Sequence, residues 1–406
     1  MKVLLNARYL ASQATGIETT LLNVIRAFHG DQGLPMADST GSREWADGIE
    51  LILRGAPKSF AGICQCIEPD RIFPSRFFRS ILPPCLIGTG EMISKAAFDL
   101  RGVAQGVSAL GADAIAGPSF TVPLKSDIPR ICFVYDLSFL THPYCYDYRT
   151  RLFQNEVIIP SIVRSEGIIA ISRATADEVS DILNIPEHRI HVACPPVAVS
   201  APGAEMNSGN MPAELNEVLR GVNAGKIIVS VGTIQPRKNL VRLLRAFSSL
   251  SESLLAETIL IIAGRRGWMC DDFDTALGKL PARVQSKVIV TGYLDAHALR
   301  YLLSRATVMA YPSLTEGFGL PPLEALAAGV PSVVGKCAAT LESCGDAVQY
   351  VDSLDVDSIA CGLCSLLTDS ELRADLIRKG ERVIRKYTLP NFGRSLARAF
   401  HSIAGK

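Results

Sequence analysis

The 406-residue sequence has no apolar run approaching the roughly 18 residues that a membrane-crossing helix requires. It lacks an excess of either charge. Lys and Arg number 41 against 40 acidic residues, so the formal net charge is +1, which excludes a general nucleic-acid binder dependent on surplus basic charge. The opening Met1-Lys2-Val3-Leu4-Leu5 turns polar at Asn6-Ala7-Arg8 and reads as a short buried strand, without the roughly 7–15-residue apolar core of a secretory signal. Without such a signal, the 11 cysteines read as reduced thiols of a cytoplasmic protein. No GxGxxG follows a strand, which disfavours a nicotinamide dehydrogenase, and no GxSxG hydrolase elbow is present. Internal repeats and low-complexity tracts are also missing.

The histidines are few and scattered: His29, His142, His188, His191, His297 and His401. His188 and His191 can approach each other, but no third metal ligand accompanies them. Cys64-Gln65-Cys66 and Cys361-Gly362-Leu363-Cys364 are the close cysteine pairs. The second lies in an apolar helical run, with no second pair at zinc-finger spacing, and reads as structural thiols. Asp272-Phe273-Asp274 spells a DxD metal motif but is expected on a surface loop rather than at a strand end, so no metal is assigned.

What the chain does have is length and alternation. At roughly 150 residues per domain, 406 residues allow two or three domains. A composition 48% hydrophobic and 20% charged is that of a globular enzyme, not a disordered chain. Strand-like runs alternate with helical ones: Val3–Asn6, Ala114–Ala116, Ile131–Tyr135 and Gly167–Ile171, then Lys226–Val231, Thr258–Ala263, Lys287–Val290, Thr307–Tyr311 and Pro331–Val334. Most are rich in Val and Ile without alternation, as parallel strands covered on both faces require. Helical runs such as Leu240–Ser249 place Leu240, Leu243, Leu244 and Phe247 on one face. The fold class is therefore α/β.

The composition becomes small and polar over residues 201–225, marking a linker. It divides residues 1–200, an N-terminal domain, from residues 226–385, a C-terminal one, each able to hold its own doubly wound sheet. Residues 386–406 form a closing helix whose Phe392, Leu396, Phe400 and Ile403 make an apolar stripe in need of a surface. Residues 31–49 read as a surface loop.

Two stretches carry the chemistry. In Val231-Gly232-Thr233-Ile234-Gln235-Pro236-Arg237-Lys238-Asn239, a buried strand meets an amphipathic helix, with Asn239 in N-cap position. Cations at that end oppose the helix dipole. A bound phosphate resolves the conflict, and a solvated basic turn is the simpler alternative. In Tyr311-Pro312-Ser313-Leu314-Thr315-Glu316-Gly317-Phe318-Gly319-Leu320-Pro321-Pro322-Leu323-Glu324, a strand runs into a glycine loop and the prolines start a helix ending near Gly329. The glycines admit close backbone approach to a ligand. Glu316 is placed on the loop and Glu324 in the first helical turn, at the strand's carboxyl end where ligands collect in open α/β sheets. Glu324 also reads as an ordinary helix-dipole residue.

These residues resemble a known family. Glu316 and Glu324 fall in the two positions of the Glu-x7-Glu signature of the retaining, nucleotide-sugar-dependent family 4 glycosyltransferases. Val231–Asn239 is similar to that family's diphosphate loop. So are Ala263-Gly264-Arg265-Arg266-Gly267-Trp268, Gly292-Tyr293-Leu294 and Glu342-Ser343-Cys344-Gly345-Asp346-Ala347. Thr15-Gly16-Ile17-Glu18 resembles the first-domain glycine loop, and Tyr135–Pro143 and Ile171-Ser172-Arg173 match further landmarks.

The resemblance implies the GT-B fold, two Rossmann-like doubly wound domains facing a cleft, with the closing helix crossing back to the first domain. It implies that Arg237 and Lys238 neutralise the donor diphosphate and that Glu324 holds the ribose. Glu316 with the backbone of Gly317, Phe318, Gly319 and Leu320 holds the donor hexose, and Gly16 approaches the phosphates. Gly232, Arg265 and Tyr293 join the donor site by the same resemblance. Charge compensation by Arg237 and Lys238 needs no metal or other cofactor.

Relatives often carry His where this chain has Tyr135, before Asp136. Tyr is a poor general base at neutral pH, so Tyr135 is assigned to orient the sugar, and Asp136 joins the catalytic set. Leu341 stands where relatives usually have Pro. The resemblance points to a mannosyltransferase of cell-surface polysaccharide or lipopolysaccharide biosynthesis, with GDP-mannose as first donor and UDP-glucose or UDP-GlcNAc as the alternative. The acceptor is a glycan or a lipid-linked glycan. Arg71–Leu82 mixes three arginines with three phenylalanines. It reads either as an ordinary solvated helix or as a peripheral contact with the inner membrane surface. A catalytically silent donor-binding partner and a GT-B nucleotide-sugar epimerase are the rival functions.

Overall fold

The computed structural model describes residues 1–6, 16–29, 50–54, 66–67, 111–197, 212, 215 and 225–405. The loop at 31–49, the Arg71–Leu82 segment, Thr15, Cys64 and most of the 201–225 linker lie outside the described residues. The chain divides into two units. The first comprises Met1–Phe139, Tyr148–Pro196 and Tyr387–Lys406; the second comprises Leu140–Asp147 and Val197–Lys386.

The first unit is built on a seven-stranded parallel sheet. Its strands are β1 (Lys2–Asn6), β2 (Glu50–Arg54), β3 (Cys66–Ile67), β4 (Ala114–Gly117), β5 (Arg130–Val134), β6 (Gly167–Ala170) and β7 (Ile190–Val192), in the order β3-β2-β1-β4-β5-β6-β7. Leu4 on β1 is flanked by Ile52 and Ile115. All four residues of β4, five of β5 and four of β6 are buried, as unalternating apolar strands between two helical layers must be. The closing helix, Leu389–Ala404, belongs to this unit and buries Phe392, Leu396 and Phe400. Phe400 stacks on Phe28 of the helix Gly16–His29 with ring centroids 5.8 Å apart.

The second unit repeats the plan with six parallel strands: β8 (Lys226–Val231), β9 (Thr258–Ala263), β10 (Val288–Gly292), β11 (Val308–Tyr311), β12 (Ser332–Gly335) and β13 (Gln349–Val351), ordered β10-β9-β8-β11-β12-β13. The helix Leu240–Ser248 presses Leu243, Leu244 and Phe247 into a core shared with Ile228, Leu260 and Val333. Both sheets therefore have the Rossmann winding, in which strand order reverses beside the first strand of the unit. This is the α/β class of two Rossmann-like domains.

Among the described residues, no helix is long and apolar enough to cross a membrane. Two local expectations change. Asp272 and Asp274 sit in the first turn of the helix Asp271–Gly278 rather than on a loop, where carboxylates complement the helix dipole. Asp274 pairs with Arg266. Cys361 and Cys364, on the helix Val356–Thr368, are exposed free thiols instead of buried structural ones, because the neighbouring Gly362 and Leu363 take the inward face.

Candidate functional site

In the second unit the winding reverses between β8 and β11. A crevice opens outside the carboxyl ends of two such strands because their connections depart to opposite faces of the sheet. Val231 ends β8 and Tyr311 ends β11, so the loops that follow are the two stretches singled out in the sequence. Leu314 N–H donates to the Arg237 carbonyl at 2.9 Å. Asn239 Nδ2 donates to the carbonyls of Pro312 at 2.9 Å and Ser353 at 2.6 Å.

Asn239 occupies the N-cap position of the helix Leu240–Ser248, but its side chain makes no cap bond. It adopts a left-handed conformation with φ +57°. The amide is used to stitch the loops instead of the helix end, a role invisible in a sequence where the partners lie 73 and 114 positions away. Arg237 and Lys238 likewise sit in a separate single-turn 3-10 helix, Pro236–Lys238, ahead of the main helix.

Glu316 lies between the two cations. Its Oε2 accepts from Arg237 Nη1 at 2.6 Å and its Oε1 from Lys238 Nζ at 2.7 Å. Arg237 Nη1 also donates to the Thr315 carbonyl at 3.0 Å, and Lys238 Nζ to the Tyr311 hydroxyl at 2.5 Å. The side chains of Arg237, Lys238 and Glu316 are 13%, 11% and 8% exposed, so this is a nearly buried cluster, where Coulomb terms greatly exceed those of a surface pair. Burial pushes the Glu316 carboxyl upward, but Arg237 and Lys238 more than offset it and hold the group at about 2. Burial, reinforced by Glu316, raises the Tyr311 phenol well above its ordinary value. At neutral pH the cluster carries two positive charges and one negative one. Tyr311, a fourth member, was read from the sequence only as the end of a strand.

Glu324 behaves in the opposite way. It lies in the helix Leu320–Ala327, in the second turn rather than the first, so the helix N-terminus is not its partner. Burial pushes its carboxyl up to about 7, and among the described residues no cation offsets the lost hydration. The folded chain then binds more protons at this position than the unfolded chain between pH 4.5 and about 7, and stability falls as pH rises through that window. Glu324→Gln is expected to be the more stable protein at pH 8, by on the order of 1–3 kcal/mol. The advantage should disappear towards pH 4.5. Denaturant titrations at the two pH values check this, and a variant less stable at pH 8 would contradict it.

Gly319 caps the same helix with φ +93° and ψ +48°, and its amide follows the Glu316-Gly317-Phe318 loop. A Cβ there would make an ordinary 3.4 Å contact with Thr340 Cγ2, so the obstacle to substitution is the backbone angle alone. Gly319→Ala is expected to cost about 1–2 kcal/mol, read as a lower unfolding midpoint of the second unit. An unchanged midpoint would show that the loop relaxes freely. Gly317, Phe318 and Leu320 complete the loop, with Phe318 buried.

The loop after β9 runs beneath the first one. A Cβ on Gly264 would lie 2.0 Å from the Gly232 carbonyl oxygen, so only glycine allows the two chains to cross there. Gly232 N–H donates to Ala263 O and Ile234 N–H to Arg265 O, both at 2.9 Å. The Arg265 guanidinium covers the Tyr293 ring at 5.4 Å, and Tyr293 is exposed. Trp268 donates from Nε1 to the Cys145 carbonyl at 2.7 Å and stacks on Tyr146 with centroids 5.6 Å apart. This ties Leu140–Asp147 to the second unit. Burial raises the Cys145 thiol while Arg237 pulls it the other way, which places that segment beside the basic turn.

The structure thus brings Arg237, Lys238 and Glu316 together, with Gly232, Gly317, Phe318 and Gly319 on the same pair of loops, Leu320 and Glu324 on the helix that follows the second loop, and Arg265 paired with Tyr293. The remaining residues belong to the first unit. Gly16 opens the helix Gly16–His29. Tyr135 is buried with its hydroxyl donating to the Pro118 carbonyl at 2.5 Å, and its ring packs on Phe120. Asp136 accepts at Oδ1 from the Ser138 amide at 3.0 Å and the Ser138 hydroxyl at 2.5 Å, an Asx turn ahead of the short helix Ser138–Thr141. In the second unit, Leu341 is exposed on the helix Ala338–Cys344.

Residues 214–383 match the family Glycosyl transferases group 1. The O-antigen chain mannosyltransferase B of Escherichia coli is 28% identical over 279 residues, 68% of this chain and 70% of that protein. The serotype-specific mannosyltransferase WbdA of Escherichia coli is 28% identical over 265 residues, 64% of this chain but 32% of its own length. The Anabaena protein Alr3699/HepE, solved in complex with UDP and glucose, superposes with a TM-score of 0.69 and 14% identity over 98% of both chains. At that identity the superposition establishes the shared GT-B fold.

Proposed function

We propose that this chain, whose residues 214–383 form a group 1 glycosyl transferase domain, moves a mannosyl group from GDP-mannose to a glycan or lipid-linked acceptor. The setting is cell-surface polysaccharide synthesis in the cytoplasm. The observation that carries this reading is the Arg237–Lys238–Glu316 cluster at the carboxyl ends of the switch-point strands. The mannosyl preference is supported by the two O-antigen and serotype mannosyltransferases to which the chain is similar. The other structural relative was solved with UDP and glucose, so a UDP-sugar is the competing donor.

Transfer breaks the bond between the sugar C1 and the β-phosphate oxygen. Negative charge develops on the departing diphosphate, and Arg237 and Lys238 are placed to meet it with fixed charges that need no reorganisation. The N-terminus of Leu240–Ser248 adds its dipole. Phosphate oxygens would replace part of what Glu316 now offers those cations, freeing its carboxylate to accept from donor hydroxyls. Retention then follows from attack of the acceptor hydroxyl on the same face as the leaving group. The new C1–O bond forms as the acceptor's proton passes to the leaving phosphate oxygen. Glu324 accepts from the ribose hydroxyls, most strongly when ionised, so donor affinity should rise as pH passes upward through about 7. Charge compensation comes from side chains, so turnover is expected to be independent of divalent metal. Gly16 and Tyr135 of the first unit are assigned to donor binding, and Asp136 to the catalytic set.

One observation favours the silent-partner alternative: Tyr135 directs its hydroxyl at Pro118 O, whereas the corresponding histidine of relatives is held to contact sugar. A thermal-shift panel of GDP, UDP, ADP and their sugar conjugates, with and without chelator, separates the readings. A ligand of the native state raises the melting temperature by mass action. Chelator-insensitive shifts with GDP and GDP-mannose, followed by mannosyl transfer, are expected. Shifts with UDP alone would replace the donor, and binding without turnover on any acceptor would favour the silent partner.

A further inference from the structure

The first unit carries a cavity of about 630 Å³ lined by Val163, Arg164, Ser165, Glu166, His188, Arg189, His191, Ser402 and Ile403. Residues 163–166 immediately precede β6, and His188 and Arg189 immediately precede β7. The cavity therefore opens at the amino end of this parallel sheet. Tyr135 and Asp136 follow β5 at the carboxyl end, so the cavity is separate from these candidate-site residues.

Its lining is cationic. Among the described lining residues Glu166 is the one carboxylate, and it is already held by a buried arginine. Arg130 donates from its backbone N–H at 2.7 Å and from Nε at 3.0 Å to Oε2, and from Nη2 at 2.6 Å to Oε1. Burial acts to raise the Glu166 carboxyl, but the Arg130 bonds bring it below its ordinary value, so this negative charge is matched within the wall. Arg164 and Arg189 then remain as positive charges facing the cavity. Arg189 is fixed there by Nη2, which donates to the carbonyls of Val163, at 3.0 Å, and Ser165. The Arg164 carbonyl accepts from Arg130 Nη2 at 2.5 Å, which anchors its backbone and leaves the side chain exposed.

A second observation points to a ligand. His191 Nε2 is buried and has no hydrogen-bond partner, and such an orphaned polar atom in a native structure calls for a partner. His191 lies on β7 three residues after His188, and both residues line the cavity together with Arg164 and Arg189. A planar guanidinium recognises tetrahedral oxyanions through two parallel N–H bonds, and imidazole N–H groups add donors.

We propose that this cavity binds a phosphate group, presented either by a soluble phosphate ester or by the headgroup of an anionic lipid. The probes are inorganic phosphate and vesicles of phosphatidylcholine with and without phosphatidic acid, applied to the full chain. The ring resonances of His188 and His191, assigned with His188→Gln and His191→Gln, are expected to move saturably with phosphate. They should do so equally in wild type and in Arg237→Ala, which separates this cavity from the basic turn of the second unit. Arg164→Glu should weaken the response at least tenfold while leaving the thermal shift given by nucleoside diphosphate unchanged.

Sedimentation with phosphatidic acid vesicles that depends on Arg164 would identify a lipid headgroup as the source. A phosphate response without sedimentation would identify a soluble ester. Resonances that stay fixed at tens of millimolar phosphate, together with vesicle binding indifferent to Arg164→Glu, would overturn the proposal. Equal phosphate responses in wild type and Arg164→Glu would overturn it as well.

Discussion

Glu316→Gln is expected to lose transfer by roughly 100-fold or more, the scale set by misplacing a substrate near its attack geometry, while binding free nucleoside diphosphate at least as tightly as wild type. The two effects separate because the carboxylate has two relationships. Towards the donor sugar it is an acceptor of hydroxyl protons. Towards Arg237 and Lys238, at 2.6 and 2.7 Å, it competes with phosphate. Glutamine keeps the volume and removes the charge, so the competitor is lost together with the sugar contact.

The same change leaves two nearly buried cations without their counter-ion, which costs about 3–5 kcal/mol in comparable pairs. A diphosphate ligand restores the balance, so its thermal shift should be larger in the variant than in wild type. The pH signature is distinct too. Glu316 is held near 2 against an ordinary 4.5. The stabilisation it contributes is present above pH 4.5 and is lost as pH falls towards 2, and the variant should lack that part of the acid transition. Unchanged turnover, or weaker binding of free diphosphate, would remove Glu316 from the site.

The long strands were legible because the physics that forms them is local. Lys226–Val231 and Thr258–Ala263 have their expected limits, and β1, β4, β5, β6, β11 and β12 lie within a residue of theirs. Each is an apolar run buried on both faces. The strands missed were β2, β3, β7 and β13. Three of these have only two or three residues, and β2 has just Leu51, Ile52 and Leu53 between charged ends.

At the site, the residue types were legible and their partnerships were not. Arg237 and Glu316 stand 79 positions apart, and no spacing rule joins them. Their ion pair exists because strand order reverses between β8 and β11 and brings the two loops side by side. For the same reason, Asn239 was visible as a helix cap but not as the link between Pro312 and Ser353. Glu324 showed its position in the signature but not the burial that pushes its carboxyl up to about 7.

Arg237→Ala tests whether the cluster is a diphosphate clamp or only a structural tie. The substitution removes the bonds to Glu316 Oε2 and to the Thr315 carbonyl and leaves Lys238 as the remaining cation on the carboxylate. A hydrogen bond to a charged group contributes about 1.5–3 kcal/mol, so affinity for both donor and free nucleoside diphosphate should fall by roughly 10–100-fold. Turnover should fall further, since negative charge on the leaving group is greater in the transition state than in the bound donor. Combining it with Glu316→Gln closes a double-mutant cycle. In the double variant neither member of the pair is left unpaired by the loss of the other, so the stability losses should sum to less than the two single effects, with a coupling of about 0.5–3 kcal/mol. Affinity for free diphosphate should lie between those of the two single variants, because the competitor and one of the two cations have both gone. Strict additivity in stability would mean that the 2.6 Å pair contributes nothing in solution. Equal diphosphate affinity in wild type and Arg237→Ala would show that the basic turn is merely solvated, and leaving-group stabilisation would then have to come from Lys238 and the helix N-terminus.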